Sequence, residues 1–151
     1  MVHIVKSAES ESGRLFIEAV AQSFQRAEIG SEQERVAFDC EGINLSRIGT
    51  VELISICFPS LTVFLIDFGG SPDSIIEQQV KKLFESNKIL KIIHDCRTDS
   101  DALFHRHGIT LRNVHDTSCY HHVITGQEHQ SLNDVLLFNG IEANEHRDTS
   151  V

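Results

Sequence analysis

The sequence predicts an α/β layered domain built on a mixed sheet, and three observations predict it. Residues 36–41, 51–58 and 61–68 form a closely linked group of β-prone runs. After Gly69, stretches with helical spacing alternate with apolar strands. Residues 89–94 are apolar throughout except near Lys91, as suits a strand covered on both faces. Three meandering strands followed by helix–strand–helix–strand–helix give five strands in one sheet, flanked by helices. No internal repeat, low-complexity tract or linker divides residues 1–151, so a single domain is expected.

Taken in order, Val2 to Val5 is a short β-prone segment outside that strand count. Leu15, Phe16, Ala19, Val20 and Phe24 recur at helical spacing, with Ser12 as the expected cap and Gly30-Ser31 as the break. Residues 36–41 read as a strand and 42–49 as a loop. The second strand, 51–58, carries apolar Leu53, Ile54, Ile56 and Phe58. Pro59-Ser60 makes a turn into the third strand, and so short a link implies an antiparallel meander. Pro72 suits the first turn of a helix whose apolar face is Ile75, Ile76, Val80, Leu83 and Phe84. Beyond the fourth strand, a helix over 97–107 ends at Gly108, a residue suited to the left-handed position after a helix. Residues 111–116 supply the fifth strand, and 117–124 and 131–139 two more helical stretches.

Hydrophobic content of 40% and charged content of 23% are ordinary for a globular chain of 151 residues, which is long enough for a real core. No apolar run approaches the roughly 20 residues of a membrane helix, and residues 1–12 do not resemble a signal peptide. No membrane association is therefore expected. Cys40, Cys57, Cys96 and Cys119 are widely spaced and mostly lie in or beside apolar runs. Free thiols in a cytoplasmic or nuclear protein are the expectation. With 13 basic against 22 acidic residues, the net charge of −9 argues against a surface that neutralises phosphates broadly. A metal-dependent nuclease stays compatible, because bound cations reverse the local charge of an acidic cleft.

Two acidic clusters carry the candidate chemistry. Asp39 and Glu41 lie two apart in a strand, so both point to one face. Two anions so placed repel, and Mg²⁺ or Mn²⁺, which favour hard oxygen ligands, would turn that repulsion into a site. Taken alone, an acidic strand end facing water explains the pair more simply. The second cluster, from His94 to Asp101, lies where the fourth strand hands over to a helix, a usual place for a site in an α/β sheet. There Asp95 suits a helix cap, and Asp99 and Asp101 suit the helix dipole. Taken alone, capping explains this cluster as well as catalysis does. Zinc on His105 and His107 or on His121 and His122 is disfavoured, because adjacent helical residues diverge by ~100° and no cysteine pair joins them. A thiol nucleophile at Cys40 or Cys96 is disfavoured by the neighbouring carboxylates.

Taken together the clusters are more specific. Val36-Ala37-Phe38-Asp39-Cys40-Glu41-Gly42 and Lys91-Ile92-Ile93-His94-Asp95-Cys96-Arg97-Thr98-Asp99 resemble the first two motifs of the DEDD 3′–5′ exonucleases, in their ribonuclease D-like branch. Within it, the exonuclease 3′–5′ domain-containing proteins are the nearest match. The loop Gly42-Ile43-Asn44-Leu45-Ser46-Arg47-Ile48-Gly49, the corner Asn113-Val114-His115-Asp116-Thr117 and the stretch Ser131-Leu132-Asn133-Asp134-Val135-Leu136 are similar to that subgroup. The resemblance implies a ribonuclease H-like fold and hydrolysis of phosphodiesters at 3′ ends with two Mg²⁺ or Mn²⁺ ions. It implies that Asp39 bridges both ions, that Glu41 ligates the one activating water, and that Asp99 supports the second directly or through water. Asp95 and Asp101 match no motif aspartate. Leu45 and Ile48 are the expected pocket for the terminal base. Single-stranded nucleic acid, RNA favoured over DNA, is the expected partner.

The family's third motif, Tyr or His followed four residues on by Asp, has no counterpart. None of the nine histidines and the single tyrosine meets an aspartate at that spacing. Glu145 and Asp148 are alternative fourth carboxylates, but neither has the matching partner. The expectation is therefore a C-terminally truncated domain with impaired activity, and an exposed apolar surface around residues 132–141 that self-associates or takes a protein partner. The alternative is an inactive RNA-binding or protein-interaction scaffold with the same fold.

Overall fold

Residues 1–128 and 130–142 are described in the computed structural model of this chain. The architecture follows from alternation in the strands. In β2 (Arg35–Glu41), Val36, Phe38 and Cys40 are buried while Arg35, Ala37, Asp39 and Glu41 are exposed. Its antiparallel neighbour β3 (Leu53–Cys57) sets Ile56 beside Phe38 and Ile54 beside Cys40. In turn β4 (Val63–Asp67) sets Phe64 and Ile66 beside those two isoleucines. One face of the meander is thus wholly apolar, and the other presents the two carboxylates.

The apolar face is covered by α1 (Glu11–Ile29) and α2 (Ser74–Phe84). Phe16 of the first packs on Phe64 at 5.4 Å between ring centroids, and Phe84 of the second on Phe38 at 4.4 Å. Ser10, two residues before the expected Ser12, caps α1 by accepting from the Gly13 N–H. Gly13 is required where it stands, because a Cβ there would lie 2.0 Å from the Ser7 carbonyl oxygen. Asp73 caps α2, with Pro72 just ahead of the helix.

On the other side of β2 lies β5 (Leu90–Ile93), parallel to it, and then β6 (Val114–Asp116), parallel in turn. Lys91 is fully buried on the apolar side and donates from Nζ to the carbonyl oxygens of Ser86 and Ile89, the latter at 2.8 Å. Three more helices follow: α3 (Arg97–His107), α4 (Thr117–Thr125) and α5 (Leu132–Phe138). Gly108 takes the left-handed position that ends α3, with φ of 61°.

The α/β class and the antiparallel meander stand as expected, but the sheet has six strands rather than five, in the order β1-β4-β3-β2-β5-β6. The additional strand is β1 (Val2–Val5), which pairs parallel with β4 at the edge. Its partner lies some sixty positions on, across α1 and two strands, so nothing local in four residues announces the pairing.

Candidate active site

The carboxyl ends of β2 and β5 meet at a cleft of about 440 Å³. One wall is Asp39, Glu41 and Leu45; the floor is His94, Thr98 and Asp99; the far wall is Ser118 with Gln130, Ser131 and Leu132. Asp39 and Glu41 share the exposed face of β2, about 6.6 Å of strand apart. Asp99 comes from the first turn of α3 and is 4% exposed. The Cys40 N–H donates to its Oδ1 at 3.1 Å, which ties α3 to the middle of the Asp39–Glu41 segment. Burial, and then the charge of Asp39, push the Asp99 carboxyl up to about 6. The three sequence-predicted carboxylates therefore line one cleft.

Of the two expected base-pocket residues, Leu45 lines this cleft, while Ile48 stands outside its lining and is 84% exposed. Their loop is closed at its neck by Gly42, where a Cβ would lie 1.8 Å from the Thr50 carbonyl oxygen. Asp101 holds the loop from α3, accepting from the Arg47 N–H at 2.8 Å and its Nε at 3.3 Å. Those contacts keep the Asp101 carboxyl below its ordinary range.

Asp95 does not cap α3 as its position suggested. It sits at φ of 55°, and its carboxylate pairs with the Arg97 guanidinium at 2.6 and 2.9 Å. No side chain caps α3; just ahead of it Asp116 accepts from the N–H groups of Asp95 and Cys96, each at 2.9 Å. Asp116 also caps α4 through the N–H groups of Ser118 and Cys119. Burial works to raise the Asp116 carboxyl, but the Cys96 and Asp95 amides outweigh it and hold it low. His94, at the end of β5, contacts Thr117 Oγ1 at 2.9 Å through Nδ1 and the Gln130 carbonyl oxygen at 3.0 Å through Nε2. The sequence offers a signal for Asp116, since Asp-Thr-Ser before a helical stretch is a capping pattern. It offers none for the two amides ahead of α3 that Asp116 also holds.

The two thiols nearest the cleft are poor nucleophiles. Burial and then Asp99 push Cys40 well up, and burial and then Asp116 push Cys96 up to about 12. For a divalent cation, Asp39, Glu41 and Asp99 offer carboxylate oxygens, the type Mg²⁺ and Mn²⁺ prefer. The Asp99 carboxyl is raised by burial first and by the charge of Asp39 second, and a cation beside the two would offset that second cause. Among the described residues no three His, Cys, Asp or Glu side chains stand together as a ready metal cage. Glu145 and Asp148 lie outside the described residues.

Residues 17–142 match a family model described as 3′–5′ exonuclease. The chain is similar to the piRNA biogenesis protein EXD1 of Bombyx mori, 29% identical over 119 residues, and of Mus musculus, 33% identical over 112. These matches cover 78% and 74% of this chain, which spans only 38% and 20% of those relatives. Among solved structures, the catalytic core of RRP6 from Trypanosoma brucei superposes with a TM-score of 0.71 at 20% identity, over 100% of this chain and 38% of that one. Brucella melitensis NrnC with bound Mg²⁺ gives 0.62 at 20% identity, over 78% and 59%. The fold shared with these nucleases is ribonuclease H-like.

Proposed function

The chain belongs to the 3′–5′ exonuclease family, and from that membership we propose that its cleft hydrolyses phosphodiester bonds at the 3′ end of single-stranded nucleic acid. The observation that carries the reading is the convergence of Asp39, Glu41 and Asp99 on one cleft at the carboxyl ends of two parallel strands. Those three side chains would hold the divalent cations. When bound, Mg²⁺ or Mn²⁺ stabilises charge on the attacking and leaving oxygens of an in-line displacement. A solved NrnC with Mg²⁺ bound, similar in fold, supports the choice of ion. Leu45, which lines the cleft, contacts the terminal base, and Ile48, exposed on the same loop, would do so only by turning toward it.

RNA is proposed over DNA, supported by similarity to a relative named for piRNA biogenesis. Of the polar positions in the far wall, Ser118 and Ser131 can hydrogen-bond a sugar or phosphate oxygen. Activity is proposed to be low, because no Tyr or His is followed four residues on by Asp anywhere in the 151 residues. A residue that orients the attacking water is thus missing from the motif set.

A second reading, an inactive RNA-binding or protein-interaction scaffold with the same fold, is favoured by one observation. Among the described residues no three metal-ligating side chains stand together. Single strands labelled at either end decide between the two. The enzyme shortens a 5′-labelled strand stepwise and releases label from a 3′-labelled one, only with Mg²⁺ or Mn²⁺, and Asp39→Asn abolishes it. A strand bound but never shortened would leave the scaffold reading.

A further inference from the structure

The far wall of the cleft is attached to the rest of the molecule in an unusual way. It belongs to the α4–α5 unit, and α5 is held to α4 by buried Val135 and by the edge-on contact of His121 with Phe138, 4.9 Å between centroids. Among the described residues, the hydrogen bonds of Gly126, Gln127, Gln130 and Ser131 otherwise close locally. Gly126 N–H donates to the His122 carbonyl, the Gln127 carbonyl meets His122 Nδ1, Gln130 Nε2 donates to the Glu128 carbonyl, and Ser131 closes its capping box with Asp134. Among the described residues, one hydrogen bond reaches the segment from the sheet: His94 Nε2 to the Gln130 carbonyl oxygen.

The His94 ring is itself fixed at both nitrogens. A carbonyl oxygen can only accept, so the partner of Gln130 assigns the proton to Nε2. Nδ1 meets Thr117 Oγ1 at 2.9 Å, at the start of α4, and the same hydroxyl reaches the Ile93 carbonyl oxygen at 3.3 Å. His94 thus joins three parts of the site: the end of β5, the start of α4 and the wall ahead of α5. It lies on the floor of the cleft and touches neither Asp39 nor Glu41 through any of these bonds.

From this geometry we propose that His94 is a positioning residue, a pin that fixes the Gln130–Leu132 wall opposite the carboxylates and so sets the width of the cleft in which the strand lies. The inference rests on the nucleic-acid reading of the cleft, and the pin itself can be tested apart from that reading. His94→Ala removes the donor. His94→Gln keeps one, since a glutamine amide can donate to the Gln130 carbonyl in place of Nε2.

Two measurements on the whole 151-residue chain decide it: hydrogen exchange of residues 126–135, and binding of a short 5′-labelled single-stranded RNA in Ca²⁺. His94→Ala is expected to speed exchange in that stretch and to weaken RNA binding, each about five- to tenfold, the effect of one hydrogen bond. Protection in β2 should stay unchanged, and His94→Gln should recover most of both losses. Unchanged exchange in His94→Ala overturns the pin. RNA binding that weakens while exchange stays unchanged also overturns it, because His94 would then touch the strand directly. If the wild-type chain binds no RNA, the reading of the cleft fails, and the exchange measurement still decides the pin.

Discussion

Replacing Asp99 by Asn should make the metal-free protein more stable while removing its response to divalent ions. In the native state this carboxyl is buried, faces the charge of Asp39, and is raised from the ordinary 3.8 to about 6. At neutral pH its ionised form therefore disfavours the native state by about 3 kcal/mol relative to the unfolded chain. Asn keeps an oxygen for the Cys40 N–H, and its amide faces the Thr98 hydroxyl, 3.5 Å from Asp99 Oδ2. Most of the stabilisation should therefore survive, giving a melting temperature higher by roughly 4–10 °C at pH 7 in EDTA. The sign follows from a native value above the unfolded one. The contribution of Asp99 is fully present below about pH 4 and is lost as pH rises through 6. Wild type and variant should thus converge near pH 4 and separate between pH 4 and 7. Thermal melts in EDTA across that range read the gap directly, and added Mg²⁺ should narrow it by stabilising the wild type alone. A variant less stable than wild type at pH 7 without metal, or a gap independent of pH, would refute the reasoning.

Three further outcomes are expected. Asp116→Ala leaves four backbone N–H groups without their acceptor, two at the start of α4 and two just ahead of α3, and should lower the urea-denaturation free energy by roughly 3 kcal/mol. Lys91 is fully buried, and burial lowers its ammonium from 10.5 to about 8. Wild-type stability should therefore rise by about 3 kcal/mol between pH 8 and 10.5, where the unfolded chain binds the extra proton, and Lys91→Met should lose that slope in urea titrations. Leu137 and Phe138 are each 59% exposed, and Val123 and Ile124 of α4 are exposed too. Light scattering should show concentration-dependent association that Phe138→Ser together with Val123→Ser reduces, while a monomer at every concentration would count against it.

The parts of the site legible in the sequence were those set by short-range geometry. Period-two alternation over residues 36–41 puts Asp39 and Glu41 on one face. The apolar run ahead of His94 puts Asp99 in the first turn of the next helix, beside them. What stayed hidden were side chains whose partners lie far along the chain. Asp95 looked like the cap of α3 because capping is normally local, yet it pairs with Arg97, and Asp116 from the next strand holds the amides just ahead of the helix. Asp101 looked like a dipole partner and instead holds the Arg47 loop. The bond from His94 to a backbone carbonyl cannot be read from residue types, since every residue offers that acceptor. The sixth strand failed for the same reason, because its pairing with β4 is long-range.

That edge strand has a consequence for how the chain acquires its structure. The meander of β2, β3 and β4 closes through neighbouring segments, whereas Val2 pairs with Val63 and Val36 with Lys91. Contacts between distant segments need more chain entropy to be surrendered first, and form slowly. The hairpins are therefore the natural early nucleus, with β1 and β5 joining afterwards on opposite sides. Asp39 arrives with the nucleus and Asp99 with the late-joining strand. The two charges that repel meet only once the Phe38–Phe84 and Phe16–Phe64 packing can hold them together. On a ribosome, the carboxylate face would remain unassembled until α3 had emerged, long after the meander had begun to fold.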